Sequence, residues 1–242
     1  MSTHILEQRY YFDKPGWMDG TSEYHEILRR YSLSTEAVVL EIGSGPENRS
    51  SKYVASRVAH LDGLDIDKRV LDNSALREAY VYDGRKFPKQ IADESYDLVV
   101  ADYVMEHVEH PSLMLAEIHR VLRSGGHFVF RTPNIYHYVS LISRFTPHSF
   151  HLAMANKARQ TDDDAVDPYP TFYRFNSRCA VRTVAREAGM REVELTMVEK
   201  QPNYLKFNSM AYRCGVAYER AVNSTRVLSV FRANIFAVLC KG

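Results

Sequence analysis

Residues Val38–Ser50 read VVLEIGSGPENRS: a short apolar run interrupted only by Glu41, then two glycines one residue apart, Gly43 and Gly45, then polar residues. Glycine lets a chain leave a buried strand in a tight turn, and it lets backbone amides approach a bound molecule with no Cβ in the way. Dinucleotide sites add a third glycine, so that a helix can start against the pyrophosphate. Here Asn48 stands in that place, after Pro46 and Glu47. Glu41, two residues before Gly43, would repel a pyrophosphate and attract a cationic ligand. The turn therefore reads as the floor of a site for a bulky molecule that carries positive charge.

On either side of this turn, short apolar runs alternate with amphipathic stretches. VVLEIG (Val38–Gly43), HLDGLDID (His60–Asp67), EAYVYD (Glu78–Asp83), YDLVVADYV (Tyr96–Val104) and GHFVFRTP (Gly126–Pro133) read as strands. RSSKYVASRV and SLMLAEIHRVL read as helices, with Leu113, Leu115, Ile118, Val121 and Leu122 marking one buried face. A helix is expected over Glu23–Tyr31, and SRCAVRTVAREAG forms another, capped by Asn176 or Ser177 and stopped by Gly189. Strands near Glu192–Glu199 and Ala233–Cys240 flank a further helix around Asn208–Val222. Strands that alternate with helices imply right-handed crossovers, so the expected fold is α/β, doubly wound, with a mostly parallel sheet. Tyr136–Phe175 breaks the rhythm with aromatics, histidines and the acidic run Asp162, Asp163, Asp164, and reads as a helical, aromatic lid inserted after the fifth strand. The expected division is an N-terminal segment and helix over 1–34, covering the ligand site, and a main domain over 35–242 with the lid at 136–175.

In such sheets ligands sit beyond the carboxyl ends of the strands, where strand order reverses. Asp65 falls at the end of the second strand, where a carboxylate can accept bonds from two ribose hydroxyls. Asp83 ends the third strand before GRKFP and is placed to accept an adenine amino hydrogen. Each aspartate alone is also an ordinary strand terminator. Their succession with Glu41 points to a sulfonium nucleoside.

The motifs VLEIGSG, LDGLDID, VYDGRKFP, SYDLVVADYVMEHVEHP and LAEIHRVLRSGGHFVFRTPN together resemble those of class I S-adenosylmethionine-dependent methyltransferases, in particular the group acting on small molecules, lipids and sugars. The resemblance runs from Val38 to Asn134 and implies a seven-stranded sheet with its last strand antiparallel, and S-adenosylmethionine as cofactor. By matching position it implies that Glu41, Gly43, Ser44 and Gly45 hold the methionine part, Asp65 and Ile66 the ribose, and Asp83 and Gly84 the adenine. Asp102 and Tyr103 would line the reaction chamber. Glu47 departs from the pattern, because many members have another glycine there.

Methyl transfer to a hydroxyl requires a proton acceptor, and histidine is the usual one near neutral pH. Of ten histidines, His107, His110, His119, His127, His137, His148 and His151 lie in one stretch. His148 and His151, in RFTPHSFHLAM on the lid, are the leading general-base candidates, with His107 a third that also suits a structural or cofactor-facing place. His119 faces along a helix and His127 begins a strand, which sets both aside. Asp102, Glu106, Glu109 and His107 could suggest a divalent metal, which is not favoured because adjacent loop carboxylates are usually solvated. The leading expectation is O-methylation of a saccharide or glycan hydroxyl. A nicotinamide-dependent Rossmann oxidoreductase, or methylation of a lipid- or quinone-type or nitrogen acceptor, are the alternatives.

At 242 residues and 45% hydrophobic content the chain can bury one large core. Its 31 basic and 30 acidic residues create no overall field toward nucleic acid or anionic membrane, so a small-molecule substrate is expected and the oligomeric state stays open. No run approaches the roughly 18 apolar residues of a membrane span, and the N-terminus lacks a basic start before an apolar core. Cys179, Cys214 and Cys240 are odd in number and far apart, which suits free thiols and an expected cytoplasmic location.

Overall fold

The structure is a computed structural model and describes residues 2–31, 33–145 and 169–242. Seven strands, β1 (Val38–Ile42), β2 (His60–Asp65), β3 (Glu78–Val81), β4 (Tyr96–Asp102), β5 (Leu122–Pro133), β6 (Met190–Val198) and β7 (Asn234–Lys241), form one mixed sheet in the order β3-β2-β1-β4-β5-β7-β6. β1 pairs in parallel with β2 and β4, β2 with β3, and β4 with β5. The helices among the described residues are α1 (Thr3–Glu7), α2 (Gly20–Arg30), α3 (Arg49–Ala55), α4 (Pro111–Val121), α5 (Tyr138–Phe145), α6 (Arg178–Glu187) and α7 (Ser209–Ser224). The chain winds from β1 outward to β3 and then returns to β4 beside β1, so strand order reverses between β1 and β4. Ligand sites of open α/β sheets lie at the carboxyl ends of such a pair.

The expected lid at 136–175 lies largely outside the described residues; elsewhere the expected strands and helices form, with two local differences. β5 begins at Leu122, not Gly126, because Leu122 pairs with Tyr96 across an irregularity before Leu98. Gly125, at φ +77°, and Gly126, whose Cβ would lie 2.9 Å from the Arg123 carbonyl oxygen, allow that bulge. On α4, Leu113 is exposed and Met114 takes its expected place in the buried face beside Leu115, Ile118 and Val121. Ser177 is the cap of α6, its hydroxyl accepting from the Ala180 amide.

The chain divides into two compact units. One comprises 21–132, 171–196 and 235–242. Its core is built from β1, β4 and β5: Phe128 and Phe130 stack at 4.8 Å, and Phe175 packs on Phe130 at 5.3 Å. Tyr24 pins α2 to the sheet, its buried hydroxyl lying 3.3 Å from the carbonyl oxygens of both Ala101 and Val129. The other unit comprises 1–20, 133–170 and 197–234. Within it Leu6, Tyr11, Tyr212 and Val216 make a small core, with Tyr10 and Trp17 packed against it. The same unit holds a buried pair, His137 Nε2 3.5 Å from Glu199 Oε2. Burial pushes Glu199 up to about 8 and His137 down to about 4. Both groups are thus neutral near pH 7, a carboxyl facing a neutral imidazole.

Candidate cofactor site

β1 delivers Glu41 and the glycine turn to the end of the sheet. Both glycines take left-handed backbone, Gly43 at φ +73° and Gly45 at φ +47°, which residues with a Cβ rarely adopt. A Cβ on Gly43 would also lie 2.3 Å from Val104 Cγ2, so the β1 turn and the β4 turn press directly together. Asn48 explains why no third glycine is needed. Its Oδ1 caps α3 by accepting from the Ser50 and Ser51 amides, while its Nδ2 donates to the Ser44 carbonyl. Asn73 closes the turn from the other side, donating to the Gly45 carbonyl at 3.1 Å.

Glu41 is buried and accepts a 2.6 Å bond from the Ser51 hydroxyl. Burial pushes its carboxyl up to about 7, the Ser51 bond pulling the other way. Asp65 receives the Gly45 amide on Oδ2 at 2.7 Å and the Asp67 amide on Oδ1 at 2.8 Å. Each of those oxygens keeps a second lone pair for a ligand hydroxyl. Asp83 is exposed, and the amides of Arg85 and Lys86, both donating to Oδ1, hold its carboxyl below the usual range. A Cβ on Gly84 would lie 3.7 Å from Ile66 Cγ2, so the β2 and β3 ends meet as well.

Glu41, Gly43, Gly45, Asp65, Ile66, Asp83, Gly84, Asp102 and Tyr103 are therefore gathered at the carboxyl ends of β1 to β4. The Ser44 hydroxyl points inward against Gly63, 2.5 Å from where a Cβ there would sit. The neighbouring Asp62 is a structural acid: Arg77 grips it with two bonds and the Tyr96 hydroxyl donates to it at 2.9 Å.

At the β4 end, Asp102 is held by Arg131 of β5 through two bonds and by the Ser50 hydroxyl at 3.0 Å. His25 Nε2 lies 3.3 Å from the Ser50 hydroxyl, and the His25 ring stacks on Tyr53 at 3.8 Å. Arg131, Ser50, Ser51, His25 and Asn73 escaped the sequence reading. Arg131 alone carried a signal, a charge inside the apolar run of β5, where an arginine requires a partner.

His107 is partly exposed in the turn after β4, its Nε2 4.0 Å from Glu106 Oε1. The Glu106 carboxylate accepts from the Thr132 hydroxyl, which accepts in turn from Asn176. Burial pushes Glu106 up to about 7. Glu106 is thus tied to β5, and Asp102 to Arg131. Among the described residues no group of three or more His, Cys, Asp and Glu gathers as metal ligands. Arg174 bonds the Glu109 carbonyl at 2.7 Å, a structural link between the YRFN segment and the turn after β4. His148 and His151 lie outside the described residues.

Residues 40–130 match the model of a methyltransferase domain family. A Mycolicibacterium smegmatis protein named "Probable S-adenosylmethionine-dependent methyltransferase" is 32% identical over 163 residues, covering 65% of this chain and 58% of that protein. A Hahella chejuensis ubiquinone biosynthesis O-methyltransferase is 30% identical over 135 residues, covering 49% of this chain and 56% of that protein. Of the curated relatives it matches, the chain spans between 3% and 58% of the length. Among solved structures, mycolic acid cyclopropane synthase CmaA1, complexed with SAH and CTAB, shares the fold with a TM-score of 0.55 at 19% identity, over 91% of this chain and 84% of that one. Acids and glycines gathered where the strand order reverses fit a cationic nucleoside, and residues 40–130 carry a methyltransferase domain whose relatives and fold support an S-adenosylmethionine-dependent methyltransferase of class I.

Proposed function

We propose that this chain transfers a methyl group from S-adenosylmethionine to a hydroxyl of a small molecule, a saccharide or glycan unit being the first acceptor class to test. The observation that carries the reading is the convergence of Glu41, Asp65 and Asp83 around a left-handed glycine turn. Glu41 and the Gly43–Gly45 backbone would hold the methionine part, Asp65 and Ile66 the ribose, and Asp83 and Gly84 the adenine. When bound, S-adenosylmethionine supplies a methyl carbon already activated by the sulfonium charge. The chain's own work is alignment of the acceptor and removal of its proton. Histidine suits the second task, with His148 and His151 first and His107 third. The sulfonium reading leaves no support for a nicotinamide site, since Asn48 caps α3 in the place where a pyrophosphate would need glycine.

A second acceptor class has its own support. In the unit containing residues 133–170, Leu141, Ile142, Phe207 and Met210 are exposed apolar side chains, and the similar proteins include one named for ubiquinone biosynthesis and one complexed with CTAB. A lipid- or quinone-type hydroxyl is therefore the alternative acceptor.

Calorimetric titration with S-adenosylhomocysteine and with NAD tests the cofactor. Saturable binding of the first alone is expected, and binding of NAD alone would overturn the reading. Transfer of labelled methyl to a panel of saccharides, quinols and lipid hydroxyls then separates the acceptors. Full turnover after exhaustive chelation is expected. Alanine at His148 or His151 should lower turnover at saturating acceptor by a factor of about 10² to 10⁴, and unchanged turnover in both variants would remove them as bases.

A further inference from the structure

Arg131 stands near the end of β5, 5% exposed, at the register position facing Asp102 of β4. We propose that Arg131 is a positioning residue for the cofactor site: it consumes the Asp102 carboxylate and holds the Tyr103 ring as the surface that β4 presents to the cofactor. The inference rests on the cofactor reading above and assigns a task to a residue that the motif matching left without a role.

The Asp102 carboxylate has little left to offer a ligand. Arg131 Nε bonds Oδ1 and Arg131 Nη2 bonds Oδ2 at 2.8 Å, while the Ser50 hydroxyl donates to Oδ2 at 3.0 Å. The same Nη2 reaches the Thr21 hydroxyl at 3.1 Å, which adds α2 to the clamp. A fork of this kind fixes the guanidinium plane as well as its charge.

Two aromatic rings lie close to that guanidinium. Arg131 Cζ lies 4.9 Å from the Tyr24 ring centroid and 4.7 Å from that of Tyr103. Tyr24 is buried and anchored to the sheet, so its ring is a fixed neighbour. Tyr103 is 39% exposed, the solvent-facing one of the two. Its backbone is left-handed, at φ +56°, an unfavourable conformation for a residue with a Cβ that persists only where its surroundings impose it. Contacts with Arg131 help to hold it here: the ring on the guanidinium, and the Tyr103 amide donating to the Arg131 carbonyl at 3.0 Å. The next residue, Val104, fills the space over Gly43, so displacement of Tyr103 would carry into the glycine turn.

The test combines Arg131→Lys, which keeps the charge but loses the fork and flat face, with Tyr103→Ala and Tyr103→Phe. Arg131→Lys and Tyr103→Ala should each weaken S-adenosylhomocysteine binding by about tenfold, whereas Tyr103→Phe restores most of the affinity lost in Tyr103→Ala. Because the arginine acts through the ring, adding Arg131→Lys to Tyr103→Ala should weaken binding by no more than about twofold further. Wild-type affinity in Arg131→Lys, or losses that multiply fully, would overturn the proposal. In ligand-free protein the urea midpoints of the two single variants should fall by amounts that are less than additive in the double variant; additivity would also overturn it. If wild-type protein fails to bind S-adenosylhomocysteine, the cofactor reading falls, and the ligand-free cycle still decides the coupling of Arg131 to Tyr103. If Arg131→Lys does not fold, Tyr103→Ala with wild-type affinity overturns the proposal by itself.

Discussion

Gly43 is constrained twice, by its left-handed backbone and by Val104 where a Cβ would be. Gly43→Ala should therefore destabilise the protein by about 1–3 kcal/mol and weaken S-adenosylhomocysteine binding, as read by urea unfolding and calorimetry; wild-type values for both would show that the two turns do not press together. Glu41 carries a prediction of a different kind. Its folded value, about 7, lies above its ordinary 4.5, so the folded state holds its proton more tightly. The stability this contributes is fully present below pH 4.5 and is lost as pH rises through about 7. Urea midpoints measured between pH 5 and pH 8 should fall less steeply in Glu41→Gln than in wild type. Equal slopes would mean that burial does not govern this carboxyl.

At the scale of elements, α3 depends on a cap that also serves the ligand turn. Asn48→Ala removes the cap and the bond to the Ser44 carbonyl together. It should lower stability by about 1 kcal/mol, and Asn48→Asp, which keeps the cap alone, should recover most of that loss in the same urea assay. The start of α5 is tied to the segment after β6 by His137 and Glu199. Between pH 4.5 and 6.5 the unfolded chain carries one proton on this pair, on His137, and the folded pair also carries one, on Glu199, so the pair contributes no pH dependence there. Above pH 6.5 the raised Glu199 value makes stability fall until about 8; below pH 4.5 the lowered His137 value makes it fall as pH drops toward 4. Glu199→Gln should abolish the fall between pH 6.5 and 8 that belongs to this pair. An unchanged slope in thermal midpoints across that range would show that Glu199 does not hold a proton there.

For the whole molecule, the residues assigned to the cofactor all belong to the unit made of 21–132, 171–196 and 235–242. Saturating S-adenosylhomocysteine, at about 100 times its dissociation constant, should stabilise the protein by about 2.7 kcal/mol. Scanning calorimetry reads this as a rise in melting temperature. Hydrogen exchange should show the new protection concentrated at the ends of β1 to β4, near Gly43, Asp65, Asp83 and Tyr103. A ligand-induced rise without protection at those amides would place the cofactor elsewhere.

The sequence by itself determined the alternation of strands and helices, the glycine turn and the acids at strand ends, because hydrophobic period and turn chemistry act between residues a few positions apart. It also distinguished Asn48 from the glycine of a dinucleotide loop. Only the tertiary structure decided what those groups are occupied with. Asp62 and Asp65 stand three residues apart on one strand, yet Arg77 and Tyr96 claim the first while the glycine turn and the site receive the second. Asp102 ends β4 beside the glycine turn, and only when β5 is laid beside β4 is Arg131 found to hold its carboxylate. Partners such as these lie far apart along the chain, Asp102 and Arg131 being separated by a crossover helix, and electrostatic pairing follows distance in space, which no local pattern encodes.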